Sequence, residues 1–378
     1  MSAKVCHQVN LQQGFGGGEV YTVFLIRALQ ALGWQVRLYV NPANPHWASR
    51  LPAGVEVVPV ADVMQLGQAL PAQPTTVFFQ TPQPAEALQP LRAAGHRLCV
   101  FAHMPLYGRN PAPLKNFDYV VTVSAHVIAS LKAAGIAHYH PQPMLGVADL
   151  ERPRAEAGVI RRGPLYDWDR RKVRERLGRL LSPLVAPFLP RPVFERRPGF
   201  TLGVVSRLTP IKQFPLLFSH LVPRLLEAPD VNLEIFGNGG YASVRDLRQV
   251  LKPLGERCRF WGHQDDVRTI YGKVDVLLTG LPEKEALGLN VIEAQVCGLP
   301  VLAVDAPPFD ETVADGVTGW RYADPRNDGG ADFLRKLALA RQGLTSTPAA
   351  RDAHLARFAE AAFAERVDAL MRAVAQLA

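Results

Sequence analysis

Residues 285–293, EALGLNVIE, place two carboxylates eight residues apart with Gly288 between them, and run on into AQVCGLPVLAV. The apolar residues after Gly288 suit a helix, Gly-Leu-Pro stops it, and the β-branched run beyond reads as a strand. Glu285 then falls in the loop before the helix, and Glu293 about two turns inside it. The amides of Leu289 and Asn290 stand at the helix N-terminus, where unpaired N–H groups and the helix dipole attract an anion. A single loop-helix segment with this charge pattern suits gripping one extended ligand. The plainer alternative is a pair of acidic residues placed near a helix start for the dipole alone.

Other residues could serve the same ligand. Arg207 ends a strand at 201–206 and Lys212 follows five residues later, near the next helix start. Two fixed cations at the carboxyl edge of a sheet suit a diphosphate, although surface charges solvated by water would look the same. Gly14, Gly16, Gly17 and Gly18 separate a strand at 4–9 from a helix at 19–32, a place where backbone approaches a ligand closely. A dinucleotide reading fails here. Glu19 stands where the third glycine is required, and the next strand ends in Asn41 rather than an acid for a ribose. His103 follows a strand at 97–102, either as a site residue or as a structural histidine bonded to a loop carbonyl. Asp167-x-Asp169 has the look of a metal pair, but no strand ends there and Asp169 reads better as a helix N-cap.

The elements that must position these groups follow from length and pattern. The chain has 378 residues, 48% of them hydrophobic and 20% charged, which suits two α/β domains. Apolar strands at 4–9, 35–40, 55–60, 75–80, 96–103 and 118–124 alternate with helical patterns. A second series at 201–206, 231–236, 258–261, 274–279 and 300–304 does the same. Both series predict α/β architecture with doubly wound parallel sheets. The expected division is 1–148, joined by a C-terminal helix at about 355–378, then a Pro/Arg-rich insertion at 149–198, then 199–354. Four scattered cysteines without metal-ligand spacing suit a reducing cytoplasm, and no apolar run is long enough to span a bilayer. The net charge of +8 is concentrated: residues 151–198 hold 13 basic and 6 acidic residues. This uneven distribution, with no zinc-finger, RNP or basic-zipper pattern, argues against a nucleic-acid partner. Within that stretch, residues 169–189 pair an apolar stripe with Arg170, Arg171, Lys172, Arg174, Arg176 and Arg179. Such a segment can dock on an anionic membrane surface or pack on the protein body, and two prolines interrupt it.

Several short motifs coincide in order: GGGE at 16–19, AHMP at 102–105, SRLTPIK at 206–212, FGNGG at 236–240, FWGH at 260–263, and E-x7-E at 285–293 followed by CGLPVLA. Together they resemble the retaining, nucleotide-sugar-dependent glycosyltransferases of the GT-B fold, family 4, over nearly the whole chain apart from about 150–198. The resemblance implies two Rossmann-like domains facing across a cleft, with the nucleotide mainly on the second, and no metal or cofactor. By position, Glu293 resembles the residue that holds the ribose hydroxyls, and Glu285 the one that holds sugar hydroxyls beside the anomeric carbon. Arg207 and Lys212 resemble the diphosphate clamp, helped by the amides of Leu289 and Asn290. Gly16 and Gly17 resemble the loop that closes over the phosphates, and His103 the histidine that approaches the donor sugar. Leu287 departs from the family's aromatic, and Leu145-Gly146-Val147 from its Asn-Gly-Val.

The implied activity is retaining transfer of a hexose from a nucleotide-sugar to a glycan or glycolipid in cell-surface polysaccharide or lipopolysaccharide synthesis. The implied place is the cytoplasm or the inner face of the membrane. A non-catalytic nucleotide-sugar or glycolipid binding protein on the same fold is the alternative. An epimerase or phosphorylase on this fold is a third reading, and no motif for a Schiff-base lysine supports a pyridoxal-type phosphorylase.

Overall fold

A computed structural model of the chain describes residues 4–14, 16–148, 158–167 and 192–377. It divides into two units, residues 1–148 with 356–378, and residues 149–355. The segment 169–189 and Asp169 lie outside the described residues.

Unit 1 runs β1 (Val5–Asn10), α1 (Gly17–Ala31), β2 (Gln35–Val40), β3 (Glu56–Pro59), α2 (Val63–Ala69), β4 (Thr76–Phe79) and α3 (Ala85–Ala93). It continues through β5 (Arg97–Ala102), α4 (Ala112–Lys115), β6 (Tyr119–Thr122) and α5 (Ala125–Ala133). All six strands are parallel, in the order β3-β2-β1-β4-β5-β6. Runs such as Val77-Phe78-Phe79 and Leu98-Cys99-Val100-Phe101 are fully buried, as expected of parallel strands covered on both faces. The chain winds outward from β1 to β3 and then returns to the other side of β1 with β4. The carboxyl ends of β1 and β4 therefore flank a topological switch point, where open α/β sheets bind ligands.

Unit 2 contains β7 (Phe200–Val205), α6 (Phe214–Leu226), β8 (Val231–Phe236), α7 (Tyr241–Leu251), β9 (Cys258–Gly262), α8 (Val267–Tyr271) and β10 (Val276–Leu278). Then come α9 (Leu289–Val296), β11 (Val301–Val304), α10 (Phe309–Thr312), β12 (Gly319–Tyr322), α11 (Pro325–Asp328), α12 (Ala331–Gln342) and α13 (Pro348–Leu355). The sheet order β12-β11-β10-β7-β8-β9 puts a second switch point between β7 and β10. Alternate residues feed two cores. Val276, Leu278, Leu302 and Val304 enter one, and Leu277, Val301 and Ala303 the other. The last helix, α14 (Glu360–Ala375), belongs to unit 1, where Phe363 packs edge-on against Tyr21 and Phe24 of α1.

Edge strand β12, GWRY, has no counterpart among the strands expected from sequence. Four residues with an arginine among them carry too short an alternation to stand out, yet Trp320 and Tyr322 are buried and Arg321 faces out to Asp305. The described ends of the 149–198 stretch lie on unit 2. Ile160 and Phe194 are buried there, the Phe194 amide donates to Ile160 (2.8 Å), and the Gly163 amide donates to Trp261 (2.8 Å).

Glu234 anchors β8 to β9 and so sets where their carboxyl ends sit. It is 1% exposed and accepts from Arg197 (2.8 Å), from Arg259 (2.6 Å) and from the indole of Trp261 (2.7 Å). Removing one member of a buried charged network leaves its partners uncompensated. Glu234→Ala should therefore cost about 3–5 kcal/mol in chemical denaturation of the full chain. A loss below about 1 kcal/mol would mean the network does not hold these strands.

Candidate active site

The switch point of unit 2 brings together loops that are far apart in sequence. Lys212 follows β7 and Glu285 follows β10; because those strands are neighbours, the lysine Nζ donates to Glu285 Oε2. Both side chains are largely withdrawn from water, at 21% and 14% exposed. The approach depends on Gly280 at the end of β10, where a Cβ would lie 2.3 Å from the Lys212 carbonyl oxygen. The neighbouring Gln213 adopts a left-handed conformation (φ 52°) and donates to Glu283 Oε2 at 3.0 Å; Arg326 also pairs with Glu283. A non-glycine residue held with positive φ beside a paired lysine marks a loop fixed by its surroundings.

The helix α9 begins immediately after this loop. Its N-cap, Gly288, has φ 83°, a conformation that favours glycine. The first helical bond runs from the Val291 amide to the Gly288 carbonyl (2.9 Å). Among the described residues, the amides of Leu289 and Asn290 have no acceptor, so they present the positive end of the helix. The Asn290 side chain donates to the Val205 carbonyl (2.9 Å) and pins this end of α9 to the tip of β7. Glu293 is the fifth residue of α9, just over one turn in rather than two. Three of the seven residues between Glu285 and Glu293 lie before the helix, which shortens the helical path.

Glu293 lines a pocket of about 180 Å³ with Arg207, Asn238, His263, Gln264 and Tyr271. The Tyr271 hydroxyl lies 3.3 Å from Glu293 Oε2. Burial, then the charge of Glu293, pushes the tyrosine pKa well above its ordinary value, so the hydroxyl keeps its proton and donates. Arg207 is turned outward and pairs with Asp167 at 3.2 Å, its side chain 60% exposed. The two expected cations therefore fall in different settings, Lys212 against Glu285 and Arg207 on the rim of the Glu293 pocket. Asp167 faces an arginine.

In unit 1 the glycine loop joins β1 to α1. Gly16 is the N-cap of α1, and its amide donates to Glu19 Oε2 (2.8 Å); Gly17 is the first helical residue. Among the described residues the Gly17 amide has no acceptor, so of the two glycines only Gly17 offers an unused donor. Asn44, nearly buried, fastens the loop through bonds to the carbonyls of Gln12 (2.9 Å) and Gly14 (3.0 Å). His103 stands beyond the end of β5, stacked on Phe101 with centroids 5.7 Å apart and edge-on to Tyr21 at 5.4 Å. Loss of water around the ring pushes its pKa down to about 4, so it is neutral at pH 7.

A buried row of amides orients that ring. Gln8 donates to Cys6 Sγ (3.1 Å), Gln80 donates to Gln8 Oε1 (3.2 Å), and Gln80 Oε1 faces His103 Nε2 at 2.8 Å. With its NH2 group spent on Gln8, Gln80 presents an acceptor, so Nε2 carries the histidine proton and Nδ1 is left as an acceptor. Sequence reasoning missed Gln8, Gln80, Asn44, Gln213, Glu283 and Tyr271. Gln8 and Gln80 do carry a signal, as polar residues inside runs otherwise fit for a buried strand. Nothing local marks Tyr271.

Residues 199–338 match the family Glycosyl transferases group 1. The D-inositol 3-phosphate glycosyltransferase of Actinosynnema mirum is 25% identical over 370 residues, covering 86% of this chain and 84% of its own. Among solved structures, Anabaena Alr3699/HepE in complex with UDP and glucose superposes with a TM-score of 0.69 at 17% identity, over 98% of this chain and 99% of that one. The lipopolysaccharide outer core galactosyltransferase WaaB, in its apo form, gives 0.65 at 16% identity, over 98% and 99%. With that family match in unit 2 and the fold shared over the full length, the chain is a glycosyltransferase of the GT-B fold.

Proposed function

We propose that the chain is a retaining, metal-independent hexosyltransferase of the family 4 type, using a nucleotide-sugar donor and a hydroxyl of a glycan or glycolipid acceptor. The observation that carries this reading is the Lys212–Glu285 pair set against the free amides of α9 at a switch point. The Anabaena relative's complex with UDP and glucose supports a nucleotide-sugar donor, and WaaB's lipopolysaccharide role supports an envelope acceptor.

The bond between the anomeric carbon and the diphosphate oxygen breaks, and the acceptor oxygen bonds to that carbon from the same face. The acceptor's proton passes to the leaving phosphate oxygen. Positive charge develops on the sugar ring and negative charge on the diphosphate. Lys212 and the amides of Leu289 and Asn290 are fixed where they stabilise the diphosphate, and fixed dipoles lose little in reorganising. This charge also does the work a divalent cation would otherwise do. Glu285 keeps Lys212 in place before binding and then takes sugar hydroxyls beside the anomeric carbon. Glu293, held by Tyr271, takes the ribose hydroxyls, and Arg207 adds charge at the pocket rim. In unit 1, His103 through Nδ1 and the Gly17 amide contact substrate. The basic stretch 169–189 is the segment proposed from sequence to meet an anionic membrane.

Glu285→Gln should lower transfer at least ~10³-fold while nucleoside diphosphate affinity stays within about threefold. Glu293→Gln should instead weaken nucleotide binding about tenfold. Both are read by nucleotide release and calorimetry in excess EDTA, where the wild-type rate should be unchanged. Near-normal turnover of Glu285→Gln would remove its assigned role.

The histidine's setting makes a pH prediction. With a pKa of about 4, His103 should add no ionisation between pH 5 and 8 to the rate profile. Gln80→Glu puts a carboxylate against Nε2, favours the charged ring and raises its pKa. The ring nitrogens followed by NMR should then titrate nearer neutrality, with a matching limb in kcat. A titration unchanged from wild type would show that Gln80 does not control the ring.

A further inference from the structure

The start of the 149–198 stretch does more than lie on unit 2. Its residues 160–167 run along the carboxyl edge of the sheet and touch three of the loops that line the Glu293 pocket. At the end of β9, the Gly163 amide donates to the Trp261 carbonyl (2.8 Å) and the His263 amide to the Pro164 carbonyl (2.8 Å). After β8, the Gly239 amide donates to the Leu165 carbonyl (3.1 Å) and the Asp167 amide to the Gly239 carbonyl (2.8 Å). After β7, Arg207 pairs with Asp167. Behind this ladder Ile160 is buried, and its carbonyl accepts from the Phe194 amide (2.8 Å). The segment is therefore anchored at both ends.

The fit leaves no room for side chains. A Cβ at Gly163 would lie 2.1 Å from the His263 carbonyl oxygen, and one at Gly262 would lie 2.3 Å from the Gly163 carbonyl oxygen. Backbone rests on backbone, so this segment sets where the His263–Gln264 loop sits. It also decides what Gln264 offers. The side-chain amide nitrogen of Gln264 donates to the Arg161 carbonyl (2.9 Å) and to the Trp261 carbonyl (3.0 Å). Carbonyls only accept, so these two fix the NH2 group on their side and leave Oε1 as the remaining polar atom of that side chain. Gln264 lines the pocket together with Glu293 and Tyr271. Covering an edge strand would require neither this close approach nor the tie to Gln264.

We propose that residues 160–167 are a positioning wall of the nucleotide site. They hold His263 and Gln264 against the nucleoside end of the donor, and they present Gln264 Oε1 to a hydrogen-bond donor on it. The proposal rests on the donor-site reading above. It adds to that site a segment of the stretch that lies outside the family resemblance.

Calorimetry on the full chain tests it with two probes: the tighter-binding of UDP and GDP, and inorganic pyrophosphate. Gly163→Ala should weaken the nucleoside diphosphate about tenfold and leave pyrophosphate within about twofold, because Lys212 and the start of α9 are untouched. Gly199→Ala is the control. Its Cβ would lie 2.1 Å from the Asp230 carbonyl oxygen, an equal overlap at the opposite edge of the sheet. It should lower thermal stability and leave both affinities unchanged. Hydrogen exchange gives a reading that needs no variant: the nucleoside diphosphate should slow exchange of the Gly163 and Asp167 amides in the wild type, and pyrophosphate should not. Unchanged nucleotide affinity in Gly163→Ala, a parallel loss for pyrophosphate, or exchange at those amides unaffected by nucleotide would overturn the proposal. Glu293→Gln, measured alongside, reads the donor-site assignment. If it weakens the nucleotide while Gly163→Ala does not, only the wall is wrong. If neither variant weakens it, or the wild type binds neither UDP nor GDP, the donor-site reading falls and the wall with it.

Discussion

An ammonium and a carboxylate, held together at the rim of a parallel sheet, support most of what unit 2 does. Lys212 and Glu285 are 73 residues apart and meet only because β7 and β10 are neighbours in the sheet. Either charge left alone at this level of burial would be costly, so the pair persists because each partner satisfies the other. The pair needs a glycine at 280 for its backbone to pass, a left-handed residue at 213, and a second carboxylate, Glu283, to hold that residue. These features make sense together as a cation kept ready beside the open end of α9. On the proposed function, an incoming diphosphate would replace the carboxylate's hold on the lysine without any rearrangement of the sheet.

Unit 1 solves a different problem with the same architecture. Among the described residues it holds no comparable lysine at its switch point and instead buries neutral polar groups. The row from Cys6 through Gln8 and Gln80 to His103 fixes a ring whose surroundings keep it uncharged. Burial also pushes the Cys6 thiol up to about 12, so the row ends in a neutral group at both ends. The fixed positive charge beside a helix start is thus found in unit 2. Unit 1 offers orientation and hydrogen-bond acceptors.

Much of this architecture can be read from the chain before any coordinates. Eleven of the twelve strands among the described residues announce themselves as apolar runs, most of them because strands buried on both faces must be apolar along their length. The edge strand β12 escapes because Gly319 and Arg321 leave only Trp320 and Tyr322 as apolar residues, too short an alternation to stand out. Glu285, Lys212 and the amides of Leu289 and Asn290 are also visible, since a glycine before an amphipathic run gives away a helix start. The pairing of Lys212 with Glu285 is not visible, because it depends on which strands are adjacent. Glu283, Gln213 and Tyr271 stay hidden for the same reason: their roles exist only through neighbours distant in sequence. Gln8 and Gln80 lie between these cases, conspicuous as polar residues in buried strands but without a partner until β1 and β4 are paired.

The central claim is that Lys212 and the start of α9 form a diphosphate site. It is tested most directly by calorimetric titration of the full chain with a nucleoside diphosphate and with the matching nucleoside, in wild type and Lys212→Met. Removing a charge-assisted contact of ~1.5–3 kcal/mol should weaken the diphosphate roughly 10- to 100-fold and leave the nucleoside unchanged. Equal affinity of both proteins for the diphosphate would contradict the account.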